Sequence, residues 1–457
     1  MFRGLLGSFD KDRVLIVSND EQVTCGNLMS VISAYDESQY YGRHIALLMK
    51  NQINTAAAML MLEGVAGNVL LLPSDVDEDN LSMLLGRYDA DLILTDQSPP
   101  ACLKNKSESI RDFSISSGIP DVPHGDIGYQ QAKTVTRWII PTSGTTGTPK
   151  LISHTLETLS RTAKKSISAS RFYRWGLLYD ISRFAGLQVF LNSILSGSVL
   201  ILSDLFASFE NRLDVLVRHG CNALSATPTM WRKLMMLPAF RKLELGQVTL
   251  GGEIADQSVL SALRAMYPTA RIVHIYASTE AGVGFSVTDG CAGFPKTMLV
   301  NPPEGITLKV DEIGFLLLRP ALRDQEYAGN AVPLFGDDGF INTGDLVVEE
   351  GERYYFLGRA NGAINVGGNK VQPEEIENLI YTFSNVKLVS VYGKKNPITG
   401  YVVAADVVLD SLSGDAAEFK RKLAAYCAEK LPPYKRPVLI KIVSDLDINR
   451  AGKVVRS

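Results

Sequence analysis

The ten residues from Pro141 to Lys150, Pro-Thr-Ser-Gly-Thr-Thr-Gly-Thr-Pro-Lys, constrain this chain more than any other stretch. They follow the apolar Trp138-Ile139-Ile140. Neither a helix nor a central strand fits inside the run. Gly144 and Gly147 permit positive φ and close backbone approach, and Pro149 has no N–H to give. Successive backbone N–H groups in such a turn form a concavity that favours anions. Thr142, Ser143, Thr145, Thr146 and Thr148 add hydroxyl donors, and Lys150 adds a point charge. The run reads as a polyphosphate cradle at the end of a strand. The plain alternative is a solvated Ser/Thr/Gly loop. A P-loop is ruled out, because Gly-Lys-Ser/Thr occurs nowhere in the sequence.

With 457 residues the chain exceeds a single core, and about 100–200 residues per domain predicts two to four units. Lys and Arg total 46 against 49 Asp and Glu, a net charge of −3. That balance makes no electrostatic case for nucleic acid or an anionic membrane. The five cysteines (Cys25, Cys102, Cys221, Cys291 and Cys427) lack metal-ligand spacing. Such a sparse, odd set predicts reduced thiols and a cytoplasmic protein. Near the start, Asp10, Lys11 and Asp12 interrupt the apolar run too early for a signal peptide. Ala56–Leu72 contains Glu63, Gly64, Gly67 and Asn68, so it predicts a buried helix, a turn and a strand, with no membrane span.

Up to about residue 135, short apolar strands alternate with helical patterns: strand 43–50, helix 53–62, strand 69–72, helix 78–87 and strand 91–95. Strands without polar alternation predict an α/β fold with mostly parallel sheets covered on both faces. Residues 105–131 read as a polar surface connection, and 156–168 as a helix. Val248–Glu253 and Arg271–Gly282 each read as a strand running into a turn, the place where open α/β sheets put ligands. Beyond Gly358 the pattern becomes a small α+β unit, with helices at 373–383 and 415–431 and strands at 387–392, 401–409 and 438–444.

Six ordered motifs carry a resemblance. Pro141–Lys150 resembles the phosphate loop of the adenylate-forming superfamily of acyl- and aryl-CoA synthetases, peptide-synthetase adenylation domains and luciferases. Gly251-Gly252-Glu253 is similar to the turn that flanks the purine there. Tyr276-Ala277-Ser278-Thr279-Glu280 resembles Tyr-Gly-x-Thr-Glu. Thr343-Gly344-Asp345 resembles the ribose-binding Thr-Gly-Asp, and Gly358–Lys370 the hinge region. Asn449–Arg456 resembles the C-terminal Gly-Lys-x-x-Arg.

The resemblance implies a large α/β domain, residues 1–358, and a small mobile α+β lid, residues 359–457, pivoting at Asn361. It implies ATP, Mg²⁺ and coenzyme A, or the phosphopantetheine of a carrier protein. Thr142, Ser143, Gly144, Thr145, Thr146, Gly147 and Lys150 would hold the β- and γ-phosphates, and Tyr276 would stack on adenine. Thr279 would face the α-phosphate, Glu280 would bind Mg²⁺, and Asp345 and Arg359 would contact ribose. Lys453 would bridge the acid carboxylate and the α-phosphate. Ala277, where glycine is usual, Gly282, Arg183 and Phe184 would face the acid. Arg183 stands where the superfamily carries an aromatic residue or histidine. Its reading is divided between the rim of the acid pocket and a surface pair with Asp180.

The activity so implied is ATP-dependent adenylation of a small carboxylic acid followed by thioester formation on coenzyme A. Two alternatives stay open: loading of a free-standing carrier protein, and a nucleotide-binding homologue without turnover. Neither the acid nor the oligomeric state is legible.

Overall fold

The structure is a computed structural model describing residues 2–19, 21–98, 100, 103, 110–113, 134–142, 149–163, 172–329, 333–397, 399–410 and 415–456. Two large sheets dominate it. In the eight-stranded sheet the order is Gly282–Val287, Arg271–Ser278, Gln247–Gly251, Ala223–Ala226, Arg174–Leu177, Val199–Leu202, Val14–Ser18 and Glu21–Thr24. Its inner pairs are parallel, and only the two edge strands run antiparallel to their neighbours. In the seven-stranded sheet, Ile110–Asp112, Leu92–Thr95, His44–Leu48, Asn68–Leu71 and Arg137–Thr142 are parallel. Lys150–Thr155 and Glu326–Tyr327 extend it antiparallel.

The continuous apolar strands are explained by burial on both faces. Along His44–Leu48, Ile45 and Leu47 face the main core, while Ala46 and Leu48 pack with Leu81, Leu84 and Leu85 of the helix Glu78–Arg87. Gln52–Leu62 is a helix with all eleven residues buried, started by the Asn51 side chain accepting from the Ile53 N–H. An apolar circumference of this kind needs protein on every side, and it shares one core with strands of both sheets. The helix–turn–strand expected over Ala56–Leu72 is therefore present. One strand pair was not expected. Val14–Ser18 joins the eight-stranded sheet beside Val199–Leu202, and Glu21–Thr24 folds back on it.

A five-stranded sheet follows, in the order Phe294–Pro295, Arg353–Arg359, Ile341–Glu350, Phe315–Pro320 and Ile306–Val310. The C-terminal part has its own core, built from Ile376 and Ile380 of the helix Pro373–Tyr381, Leu423 and Cys427 of the helix Ala416–Lys430, and the one sheet face, with Val389, Val391, Val403, Ala405 and Val407, on which both helices pack. In that sheet the strands Val386–Asn396 and Gly400–Leu409 form a hairpin, and Leu439–Ile442 runs parallel to the second. The first strand runs four residues past the expected Tyr392, because Gly393–Asn396 keep pairing with Val403–Gly400 although Lys394, Lys395 and Asn396 are polar. After Lys150–Thr155, a capping box between Thr155 and Thr158 starts the helix Leu156–Leu159, which is much shorter than the expected 156–168. Residues 164–168 of that expectation lie outside the described residues.

Candidate active site

The expected phosphate loop connects two antiparallel strands whose last pair is Thr142 with Lys150. Ser143, Gly144, Thr145, Thr146 and Gly147 lie outside the described residues. At the loop's far end, the Lys150 ammonium lies 5.2 Å from the centre of the Tyr327 ring.

Three parallel strands of the eight-stranded sheet end side by side. Ala226 pairs with Leu250, and Gly251 with Ile275. The residues that follow, Thr227, Gly252-Glu253 and Tyr276–Glu280, therefore share one edge, and a cavity of about 410 Å³ opens there. Gly252 has φ of +80°, and a methyl group added to it would lie 3.8 Å from Lys453 Cε. The lysine stem thus passes directly over the Gly-Gly turn. Ala277 lines the same cavity, and Gly282 begins the edge strand just beyond.

Asp345 is the polar centre of this cavity. The antiparallel register that pairs Asp345 with Arg359 sets the two side chains together. Arg359 Nε donates to Asp345 Oδ1 at 3.2 Å, and the Tyr276 hydroxyl donates to Oδ2. Each carboxylate oxygen accepts more than one hydrogen bond, so both keep capacity for hydroxyl donors. Burial raises the Asp345 carboxyl above its ordinary value against the pull of Arg359. Burial and the Asp345 charge also hold the Tyr276 phenol in its protonated, donating form. The Tyr276 ring lies parallel to Phe356, with centres 5.2 Å apart, so its orientation is fixed.

Lys453 is carried by a compact turn. Asn449 Oδ1 accepts from the Ala451 and Lys453 N–H groups at 3.0 and 3.1 Å, and the Asn449 N–H donates to the Lys453 carbonyl. Gly452, with φ of +77°, packs where a methyl group would overlap Met230 Sδ, and its carbonyl accepts from the Thr227 hydroxyl. The lysine side chain remains open to the cavity. Burial lowers its ammonium from the ordinary value, and so does the Arg359 charge. Glu253, Asp345 and Glu280 oppose the shift. Glu280 therefore lies within the field of both cations, Lys453 and Arg359.

No cluster of three or more His, Cys, Asp or Glu suited to a metal occurs among the described residues. Magnesium needs none, since it keeps several waters and is bound through one or two carboxylates plus substrate phosphates. Glu280 at this edge fits that donor set. Asn361 lies exposed in the short turn Ala360–Gly362, between the Arg353–Arg359 strand and the C-terminal sheet.

Arg183 departs from expectation in its partner. Asp180 is fully engaged elsewhere, accepting from the N–H and hydroxyl groups of both Ser74 and Ser182 at 2.6–2.9 Å. Arg183 Nη2 instead meets Asp75 Oδ1 at 2.6 Å. Phe184 beside it faces the His154 ring at 6.1 Å.

His154 is a site residue that the sequence reading missed. It is 0% exposed, and its Nε2 lies 2.6 Å from the Thr279 carbonyl oxygen. A carbonyl only accepts, so Nε2 carries the proton and His154 fixes the backbone beside Glu280. Burial lowers this imidazole to about 4. The folded value lies below the ordinary 6.5, so the associated stability is complete above pH 6.5 and is lost as pH falls towards 4. The total is on the order of 3 kcal/mol. The unfolding free energy is expected to fall across that window in the wild type. His154→Gln, which can donate but does not titrate, is expected to flatten the fall. Identical slopes in urea unfolding from pH 7 to pH 4.5 would contradict this reading.

Comparison with known proteins agrees with the geometry. Residues 40–325 match the AMP-binding enzyme family, and residues 375–453 match the AMP-binding enzyme C-terminal domain. A 2-succinylbenzoate–CoA ligase of Lactococcus lactis is 25% identical over 427 residues, covering 90% of this chain and 89% of its own. A probable 2-succinylbenzoate–CoA ligase of Mycobacterium tuberculosis is 30% identical over 333 residues, covering 70% of this chain and 82% of its own. Among solved structures, an anthranilate–CoA ligase in complex with anthranoyl-AMP superposes with a TM-score of 0.81 at 18% identity, covering 99% of this chain and 95% of that one. Matched in sequence through both segments and in fold along almost its whole length, the chain belongs to the AMP-binding enzyme family.

Proposed function

We propose that this enzyme is an ATP-dependent acid–thiol ligase that adenylates a small carboxylic acid and passes the acyl group to coenzyme A. The observation that carries the reading is the seating of Lys453 over Gly252, in one cavity with Tyr276, Asp345 and Arg359. An acid oxygen attacks the α-phosphorus of ATP and pyrophosphate leaves. The coenzyme A thiolate then attacks the acyl carbon and AMP leaves. Catalysis of this kind is mostly positioning and electrostatic stabilisation of phosphoryl oxygens.

In this reading, Asp345 and Arg359 hold the ribose, and Tyr276 and the Gly251–Glu253 turn flank the adenine. Thr142 and Lys150, with the loop between them, hold the terminal phosphates. Lys453 and Thr279 meet the α-phosphate, while Glu280 holds Mg²⁺, which supplies positive charge to the phosphates. Residues 359–457 form the lid, turning at Asn361 between the two half-reactions. Free thiols at Cys25, Cys221, Cys291 and Cys427 favour a reducing compartment, so the proposal includes a cytoplasmic location. No helix among the described residues is long and apolar enough to cross a membrane.

The test is acid-dependent pyrophosphate release from MgATP across acetate, octanoate, benzoate and 2-succinylbenzoate, followed by AMP and thioester formation with coenzyme A. The last acid is the one in the names of several relatives. Absence of release with every acid would refute the reading, and release without a coenzyme A thioester would favour a carrier protein as acceptor.

The proposal keeps Arg183, Phe184, Ala277 and Gly282 as acid-facing residues. Of these four, Ala277 alone lines the cavity around Lys453; the acid-facing role of Arg183 rests on the resemblance, and its Nε is buried without a hydrogen-bond partner among the described residues. In that role, Arg183→Ala is expected to reduce kcat/KM more for 2-succinylbenzoate, with its second carboxylate, than for benzoate. Equal losses on the two acids would leave Arg183 only its pair with Asp75.

A further inference from the structure

The chain that leads to Lys453 is fastened to the large domain at a point outside the cavity. Arg450, three residues before the lysine, sends Nη1 to the Leu205 carbonyl at 2.8 Å, and its guanidinium lies 4.0 Å from the centre of the Phe206 ring. Its Nε faces Asp75 Oδ2 at 3.4 Å. The other oxygen of Asp75 meets Arg183 at 2.6 Å. One carboxylate thus stands between an arginine of the large domain and an arginine of the lysine turn.

Its place is built from below. Asp180, 2% exposed, receives four hydrogen bonds, two of them from Ser74, so the backbone immediately before Asp75 is tied down. Gly186 packs against the Asp180 carbonyl so closely that no side chain fits there, and this locks the segment that carries both Asp180 and Arg183. On the other side, the Asn449 hydrogen bonds make residues 449–453 one rigid turn. Holding Arg450 therefore also sets the position of Lys453.

We propose that Asp75 is a positioning residue for the adenylation half-reaction, fastening the Lys453 turn through Arg450 while Arg183 holds Asp75 in place. The inference rests on the ligase reading above but assigns Asp75 no contact with substrate. The pair is rim-exposed, with side chains 26% and 29% exposed, so its energy is modest. Its effect is on the fraction of enzyme with Lys453 seated, which lowers the rate of the step that needs the lysine and leaves the other step alone.

The test compares Asp75→Asn with the wild type in the two half-reactions, using 2-succinylbenzoate or whichever of the four acids gives the fastest pyrophosphate release. Adenylation at saturating ATP and acid is expected to fall about three- to fivefold. Thioester formation from supplied acyl-adenylate and coenzyme A is expected to stay within about twofold. Arg450→Gln should produce the same split, and the double variant should be no worse than either single one. An equal fall in both half-reactions, or no fall in adenylation, would overturn the proposal.

Hydrogen exchange of the free enzyme provides a readout independent of turnover. Amides of residues 445–456 are expected to exchange faster in Asp75→Asn, and unchanged exchange there would also overturn the proposal. If the wild type releases no pyrophosphate with any acid, the ligase reading fails, and the exchange measurement still decides the role of Asp75.

Discussion

Replacing Lys453 with alanine is expected to lower acyl-adenylate formation by roughly 10²–10³-fold, the usual cost of removing one preorganised charge partner from a transition state. The fold should hardly respond. The side chain is open to the cavity, and a substitution of that kind changes stability by about 0.5 kcal/mol. What is lost is a cation poised between the Gly252 backbone and the carboxylates Glu253, Asp345 and Glu280. As pyrophosphate leaves, negative charge grows on the phosphoryl oxygens, and in a partly dry cavity a positive charge there is worth far more than in water. Thioester formation from a supplied acyl-adenylate involves no pyrophosphate departure, so it should survive. The measurement is single-turnover pyrophosphate release beside thioester formation from synthetic adenylate. Near-wild-type adenylation by Lys453→Ala would show that the lysine is seated in the cavity without acting there.

The strand ends that carry this candidate site were legible because their pattern is local. Gly251-Gly252-Glu253 and Tyr276–Glu280 lie at strand ends and Thr343–Asp345 within one strand, a placement that local pattern shows without knowledge of what packs on what, while the roles proposed for them came from the resemblance alone. The buried helix and strand of Ala56–Leu72 were legible for the same reason. What escaped depends on contacts between distant segments. Val14–Ser18 is a short apolar run whose strand partner, Val199–Leu202, comes far later in the chain.

His154 escaped because nothing near it in sequence marks a ligand. Its partner is the backbone of Thr279, 125 residues away. The partner of Arg183 was misjudged by the same preference for near neighbours. Asp180 stands three residues away, but Ser74 and Ser182 occupy its oxygens, and the guanidinium reaches Asp75 across 108 residues. A sequence shows which charges are close along the chain. Only the fold shows which of them are already satisfied.

Asp345 supplies the second large effect, and its direction separates nucleotide binding from acid binding. Asp345→Asn keeps the side chain's shape but exchanges an acceptor-only carboxylate for an amide with two N–H donors. One end of that amide would face the Tyr276 hydroxyl and the other the Arg359 guanidinium, both of which donate to Asp345 now. Whichever way it turns, one donor meets another, and capacity for the ribose hydroxyls falls. A hydrogen bond to a charged group contributes about 1.5–3 kcal/mol. The KM for ATP is therefore expected to rise roughly 10- to 100-fold, while the KM for the acid changes by less than about threefold. Initial rates with both substrates varied would measure the two terms separately. A defect confined to the acid term would remove Asp345 from the ribose and place it with the acid. A rise shared equally by both substrates would point instead to collapse of the Tyr276–Asp345–Arg359 cluster. In that case Tyr276→Phe, which deletes one donor and leaves the stacked ring, should reproduce only part of the loss.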